Sequence, residues 1–203
     1  MRYGPEQSEK TRNRILEIAA AQMRKRGPDN VGVADVMKRA GLTHGGFYAH
    51  FKSKDDLVAA AIKRMFEDSS AKLREWTEGK GKPEALRAYV SAYVSTTHRD
   101  HPETGCAIAA LSSDIHRQGR KARAAYDAGV AGLVNRIGDL LGEGDETQKR
   151  ALAVSMLAEM TGAVAAARAV SDQKLSDEIL ASARRSLRAR ARLTPSQHEG
   201  RQG

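Results

Sequence analysis

The sequence predicts an all-α protein: an N-terminal three-helix helix-turn-helix unit joined by a long helix to a larger C-terminal helical domain. Three observations carry this. Between punctuating glycines and prolines, apolar residues recur three and four positions apart, the period of one helix face. No segment alternates apolar and polar residues as a half-buried strand does. Within residues 33–57, two short helical patterns flank a tight turn.

The first helix carries Ile15, Leu16, Ala19 and Met23, ends in Arg24-Lys25-Arg26 where cations suit the dipole, and is stopped by Gly27-Pro28. The second buries Val33, Val36, Met37 and Ala40, and Gly41 supplies the backbone freedom its end needs. After the Gly41-Leu42 turn, Thr43 is the expected N-cap, its hydroxyl accepting from the amide of Gly45 or Gly46, of a helix running to about Phe51. Phe47 and Phe51 then face inward, and His44, Gly45, Tyr48 and His50 face outward. Bare backbone at Gly45 and Gly46 lets that helix approach a phosphate or base closely. A helical hairpin with a merely solvated face would spend about 1 kcal/mol on each glycine relative to alanine for no return, which favours a nucleic-acid surface. Ser53 and Asp56 have capping-box spacing and leave Lys54 at the next helix start, free to meet a phosphate.

From Ser53 to about Glu78, Val58, Ile62, Met65, Ser69, Leu73 and Trp76 keep one register, so a single rod is expected with no flexible linker behind the first unit. Gly79 to Pro83 closes it. Leu86, Val90, Tyr93 and Val94 mark a further helix ending near His98, and His101-Pro102 to Gly105 is a break. A short apolar helix from Cys106 to about Ser113 precedes a longer one with Tyr126, Val130, Leu133, Ile137 and Leu141. Two last helices, over residues 146–170 and 175–191, are rich in small residues: Ala151, Ser155, Ala158, Gly162, Ala163, Ala166 and Ala167 offer a smooth surface for close packing, within the chain or against a second copy.

Charge is unevenly placed. The net charge is +9, the pI near 9.8, and hydrophobic residues make up 40%, as in an ordinary globular protein with a polyanion partner. Residues 1–54 carry net +6 and the tail from Arg184 carries +5, leaving −2 for the middle. That middle is not built for DNA. The tail arginines, Arg184, Arg185, Arg188, Arg190 and Arg192, read either as a second nucleic-acid patch or as a solvated helix face. Residues 1–9 are polar, without a signal peptide, and no apolar stretch approaches the roughly 20 residues of a membrane span, so a cytoplasmic protein is expected. Cys106 is the single cysteine and excludes an internal disulfide.

Enzyme chemistry finds no support: there is no Gly-x-Ser-x-Gly, no phosphate loop after Gly45-Gly46 and no dinucleotide fingerprint. His98, His101, Cys106 and His116 match no paired zinc spacing, so they are read as surface or pocket residues rather than metal ligands.

The run A-G-L-T-H-G-G-F-Y-A-H-F-K-S-K-D-D-L resembles the helix-turn-helix of TetR-type transcriptional regulators, whose pattern has Ala-Gly, a Ser or Thr cap, Gly, an aromatic-Tyr pair, His-Phe or Tyr-Phe, and Ser-Lys. The resemblance spans residues 11–57 by motif and the rest by length and helical character. Gly32 departs from it, standing where the family usually has a phosphate-touching Ser or Thr cap, and Met37 replaces a small residue; neither change removes a recognition-helix contact.

The resemblance implies a DNA-binding domain over residues 1–54, a helical ligand-binding and dimerisation domain over residues 55–192, and a basic disordered tail over residues 193–203. It implies a homodimeric repressor of an inverted-repeat operator, with Thr43, His44, Gly45, Gly46, Tyr48, His50 and Lys54 on DNA and the last two helices forming a four-helix interface. A small molecule or electrophile entering the helical core would move the long helix and change the separation of the recognition helices. Apolar Trp76, Tyr89, Tyr93, Met156 and Met160, with Cys106 and polar Arg117, Asp114 and Glu159, are the candidate effector residues. No cofactor, metal or membrane partner is implied. An architectural DNA binder without effector is the alternative, but it would not need some 120 residues of attached acidic-to-neutral helices. G-C-A-I-A-A-L-S-S-D also resembles the same region in TetR-type regulators of electrophile and oxidant response. At a helix start, with His98, His101, Arg117 and Arg120 near in sequence, Cys106 is therefore read either as a reactive thiolate or as a small buried apolar residue.

Overall fold

The computed structural model describes residues 5–192, which hold helices and no strand. The α-helices are α1 (Pro5–Arg26), α2 (Val33–Arg39), α3 (Lys54–Thr77), α4 (Lys82–Tyr93), α5 (Thr96–Asp100), α6 (Ala107–Leu111), α7 (Arg120–Leu140), α8 (Glu146–Ala169) and α9 (Gln173–Arg192), with tighter 3-10 turns at His44–Ala49, Pro102–Thr104 and Ile115–Arg117. The fold class is the expected one. At 24 residues α3 is the predicted rod, about 36 Å long at 1.5 Å per residue.

One expected helix is broken. The pattern ending near His98 divides at Val94, whose backbone leaves the helical region (φ −89°, ψ 69°). The cause is local: the Ser95 hydroxyl accepts from the His98 amide at 3.1 Å, capping α5 instead of continuing α4.

The described residues form two compact units, one holding the chain up to Lys72 together with Asp100–Ala131, the other holding Leu73–Arg99 and the chain from Gly132. In the first, α1 packs on α2 and α6 around Ile15, Met23, Val36, Met37, Ile62 and Leu111, all fully buried. α2 ends as its glycine predicts. Gly41 takes φ 72°, its amide donates to Lys38 and the Leu42 amide donates to Met37, which satisfies two of the last free carbonyls. Arg24, expected as a dipole cation, is instead 7% exposed, with its guanidinium on Asp68 (3.0 Å) and the carbonyls of Met65 (3.3 Å) and Glu103 (3.4 Å).

In the second unit α9 packs on α8 and α4. Asp145 caps α8 by accepting from the Thr147 and Gln148 amides, both at 3.1 Å, and Asp172 does the same for Lys174 (2.9 Å) and Leu175 (3.3 Å) ahead of α9. Buried Arg99 donates to Ser176 at 2.9 Å and Asp177 at 2.5 Å. The basic end of α9 is put to use: Arg188 donates to Ser91 of α4 at 2.6 Å, and Arg190 pairs with Glu159 of α8 and reaches Ser155 at 3.0 Å. The expected tail over residues 193–203 lies outside the described residues.

The expectation that no stretch is long and apolar enough for a membrane span is corrected by α8, which reaches that length and composition. Its apolarity comes largely from alanines and serves packing, with Ala153, Met156, Leu157, Met160, Ala163, Val164 and Ala167 buried.

Candidate nucleic-acid interface

The expected recognition helix forms as a 3-10 helix, His44–Ala49, shorter and tighter than the α-helix to Phe51 that the sequence suggested. Two consecutive glycines lower α-helix stability, and the tighter turn needs fewer ordered residues. Thr43 occupies the cap position with extended backbone (φ −75°, ψ 153°), but its hydroxyl makes no capping bond. Its carbonyl instead accepts from the Gly46 amide at 3.1 Å, and the residue is exposed.

Orientation follows the sequence pattern. Phe47 and Phe51 are buried and stacked with centroids 5.6 Å apart, and Tyr48 stands edge-on to Phe47 at 5.3 Å while remaining 68% exposed. Thr43, His44 and Gly45 are exposed; Gly46 and His50 are half-buried. A side chain at Gly46 would make only ordinary contact with Met37 and Thr43, and one at Gly45 would meet nothing within 4 Å. Among the described residues, no packing explains the glycine at 45. Arg12, which sequence reasoning did not place here, lies over the Phe51 ring at 5.0 Å. Its only sequence signal was a cation on the outer face of the first helix.

The Ser53 cap forms as expected, the Asp56 amide donating to its hydroxyl at 3.2 Å. Lys54 is not free, however: its ammonium donates to the Asp29 carbonyl at 3.1 Å, across the bend between α1 and α2. An ammonium has three donors, so two still point to solvent. Nearby, Arg39 and Gln22 hydrogen bonds hold the Asp35 carboxyl below its ordinary range. A hydrogen bond from Lys121 does the same for Asp56.

The expected effector residues fall in different units. Trp76, Tyr89 and Tyr93 form one aromatic run in the second unit, with centroids 6.1 and 5.8 Å apart, continued by His98 at 4.6 Å. Met156 and Met160 are fully buried in that unit. Cys106 and Arg117 belong to the first unit. Arg117 spends its guanidinium on its own turn, pairing with Asp114 and donating to the Ser113 carbonyl at 3.2 Å. Cys106 is 4% exposed and precedes a helix of only five residues. Burial above all, with the Asp127 carboxylate adding to it, pushes the Tyr126 phenol up to about 12. Of the histidines, His98 Nδ1 lies 2.7 Å from the Tyr93 carbonyl and His101 Nδ1 lies 3.5 Å from Glu103.

The sequence profile of the bacterial regulatory proteins of the TetR family matches residues 15–61, most of α1 through the first turns of α3. Over 138 residues the chain is 25% identical to the transcriptional repressor NemR of Escherichia coli K12, spanning 67% of this chain and 69% of NemR. It is 28% identical over 104 residues to the repressor KstR2 of Rhodococcus jostii RHA1, spanning 51% of this chain and 50% of KstR2. The structure of reduced E. coli NemR has a TM-score of 0.72 at 22% identity, over 87% of this chain and 95% of that one. A TetR transcriptional regulator from Chloroflexus aurantiacus reaches 0.77 at 23% identity, over 93% and 97%. At such identities the structural likeness speaks of the fold.

Proposed function

Because the chain belongs to the TetR family of bacterial regulatory proteins, we propose that this DNA-binding transcriptional regulator is a homodimeric, effector-gated repressor of an inverted-repeat operator, working in the cytoplasm without a membrane partner. The observation that carries the reading is the surface of Thr43, His44, Gly45 and Tyr48: exposed, held on a buried aromatic pair, and including a glycine with no packing reason of its own. Lys54 adds a cation at the start of α3. Residues 1–54 read DNA; residues 55–192 hold the effector and the partner copy. Two-fold pairing is supported by α8, whose exposed Ala151, Ser155, Ala158, Gly162 and Ala166 leave a smooth strip beside Val154 (48% exposed), and by Leu175 of α9 (43% exposed).

Thr43 and His44 act near base edges, Tyr48 and Lys54 on phosphate. Lys54→Ala then weakens binding to all sequences alike and lowers the slope of log K against log salt by about 0.9 per protomer. His44→Ala instead changes the preferred sequence, by about 1–3 kcal/mol per affected base pair. Titrations at several salt concentrations read both. An unchanged slope in folded Lys54→Ala protein removes that residue from the interface.

Trp76, Tyr89, Tyr93, Met156 and Met160 are the apolar candidates for a small-molecule effector. Cys106 is the candidate for an electrophile, and its burial means that a reagent reaches it only when the α6 region opens. N-ethylmaleimide or hypochlorite should release wild-type protein from DNA and leave Cys106→Ser bound. Wild type that holds its DNA through both reagents makes the cysteine structural and leaves gating to a non-covalent ligand.

A further inference from the structure

We infer that Gln118, outside the matched helix-turn-helix, is a positioning residue for the DNA interface, acting through Asp29 on Lys54; this rests on the reading of Lys54 as a phosphate contact. Gln118 lies between the Ile115–Arg117 turn and α7, with its amide on the Ile115 carbonyl at 3.1 Å. Its side-chain amide donates to Asp29 Oδ1 at 2.7 Å, a contact spanning 89 residues of sequence. The same Asp29 offers its carbonyl to the Lys54 ammonium at 3.1 Å. One residue thus receives Gln118 on its side chain and Lys54 on its backbone.

Two further contacts fix the segment that carries Gln118. Lys121 pairs with Asp56, and a side chain at Gly119 would come within 3.4 Å of the Asp55 carboxylate. The start of α7 therefore faces the start of α3 across a cleft of about 260 Å³ lined by Ser53, Asp55 and Val58 on one side and residues 118–122 on the other. The bend that Asp29 occupies runs from Gly27 at φ 77° and buried Pro28 to buried Val31, with Asn30 donating to the Arg26 carbonyl at 2.7 Å, and Gln118 ties the Asp29 side chain from outside it. A lysine on four rotatable bonds loses much freedom when it meets a phosphate. Tethered at Asp29, Lys54 has lost part of it beforehand and keeps two donors for the phosphate. Gln118 supplies no donor to DNA; it holds the anchor.

The test is a double-mutant cycle of Gln118→Ala and Lys54→Ala, read as affinity for a labelled mixed-sequence duplex between about 50 and 200 mM salt. Gln118→Ala should weaken binding about two- to tenfold with an unchanged salt slope, because the phosphate contact persists. In the Lys54→Ala background it should change nothing. Asp29→Asn keeps an acceptor for Gln118 and should bind as wild type, whereas Asp29→Ala should reproduce Gln118→Ala. Equal losses with and without Lys54, or no loss in wild type, overturn the role of Gln118 while leaving Lys54 on DNA. A Lys54→Ala slope equal to wild type overturns the underlying reading as well.

Discussion

Phe47→Ala is expected to abolish specific DNA binding while most of the helical signal survives. Phe47 is 2% exposed, stacks on Phe51, supports the edge of Tyr48, and lends its carbonyl to the His50 and Phe51 amides. Removing a buried phenylalanine side chain costs about 3–5 kcal/mol, a large part of the roughly 5–15 kcal/mol that holds a domain together. The loss falls where the His44–Ala49 turn has least support of its own, since a short 3-10 segment with two glycines does not persist without its aromatic anchor. Phe47→Leu keeps most of the volume and should retain weak binding. Circular dichroism melts beside DNA titration check the pair; an alanine variant that binds as wild type would show that the aromatic core does not present the reading surface.

Gly129→Ala should lower the melting temperature, and Gly129→Val more so. Gly129 of α7 lies directly against Phe66 of α3: an added Cβ would lie 2.2 Å from Phe66 Cγ and Cδ2. The near atoms include the root of the ring, so a ring flip cannot relieve the overlap, and Phe66 is itself held edge-on against Tyr126 at 5.6 Å. Overpacking of this kind costs about 1–3 kcal/mol. At about 2–4 °C per kcal/mol for a chain of this length, the alanine variant should melt roughly 2–12 °C lower. Phe66→Leu should absorb much of the cost in the double variant. A wild-type melt for Gly129→Ala would mean that the two helices separate freely at this point.

The helices were legible in the sequence because period and punctuation agreed: Gly27-Pro28, Gly41 and Gly79 stop helices where the structure stops them, while Lys82-Pro83, read as part of the break, open α4. The inward Phe47 and Phe51 and the outward Tyr48 followed from spacing alone. Three features did not. The division of α4 from α5 depends on Ser95 choosing a capping bond, which an apolar pattern does not encode. The tether of Lys54 to Asp29 and the burial of Arg24 join residues far apart in sequence, and both cations looked solvated when read along one helix. Cys106 was open to two readings along the sequence, a reactive thiolate or a small buried side chain, and which neighbours surround it is not encoded locally; at 4% exposure it is buried.

The most direct measurement is a nuclease footprint on the DNA flanking this protein's own gene, made at a concentration where solution sizing gives the oligomeric state. A dimer should protect a two-fold-symmetric site whose half-site centres lie about 34 Å apart, one helical turn, or slightly more. Protection should fade as salt rises from about 50 to 200 mM. Sequence-selective protection should disappear in Phe47→Ala. A monomer that protects the same palindrome would contradict the dimer, and no protection by folded wild type at low salt would contradict the reading of the residue 43–54 surface as a DNA interface.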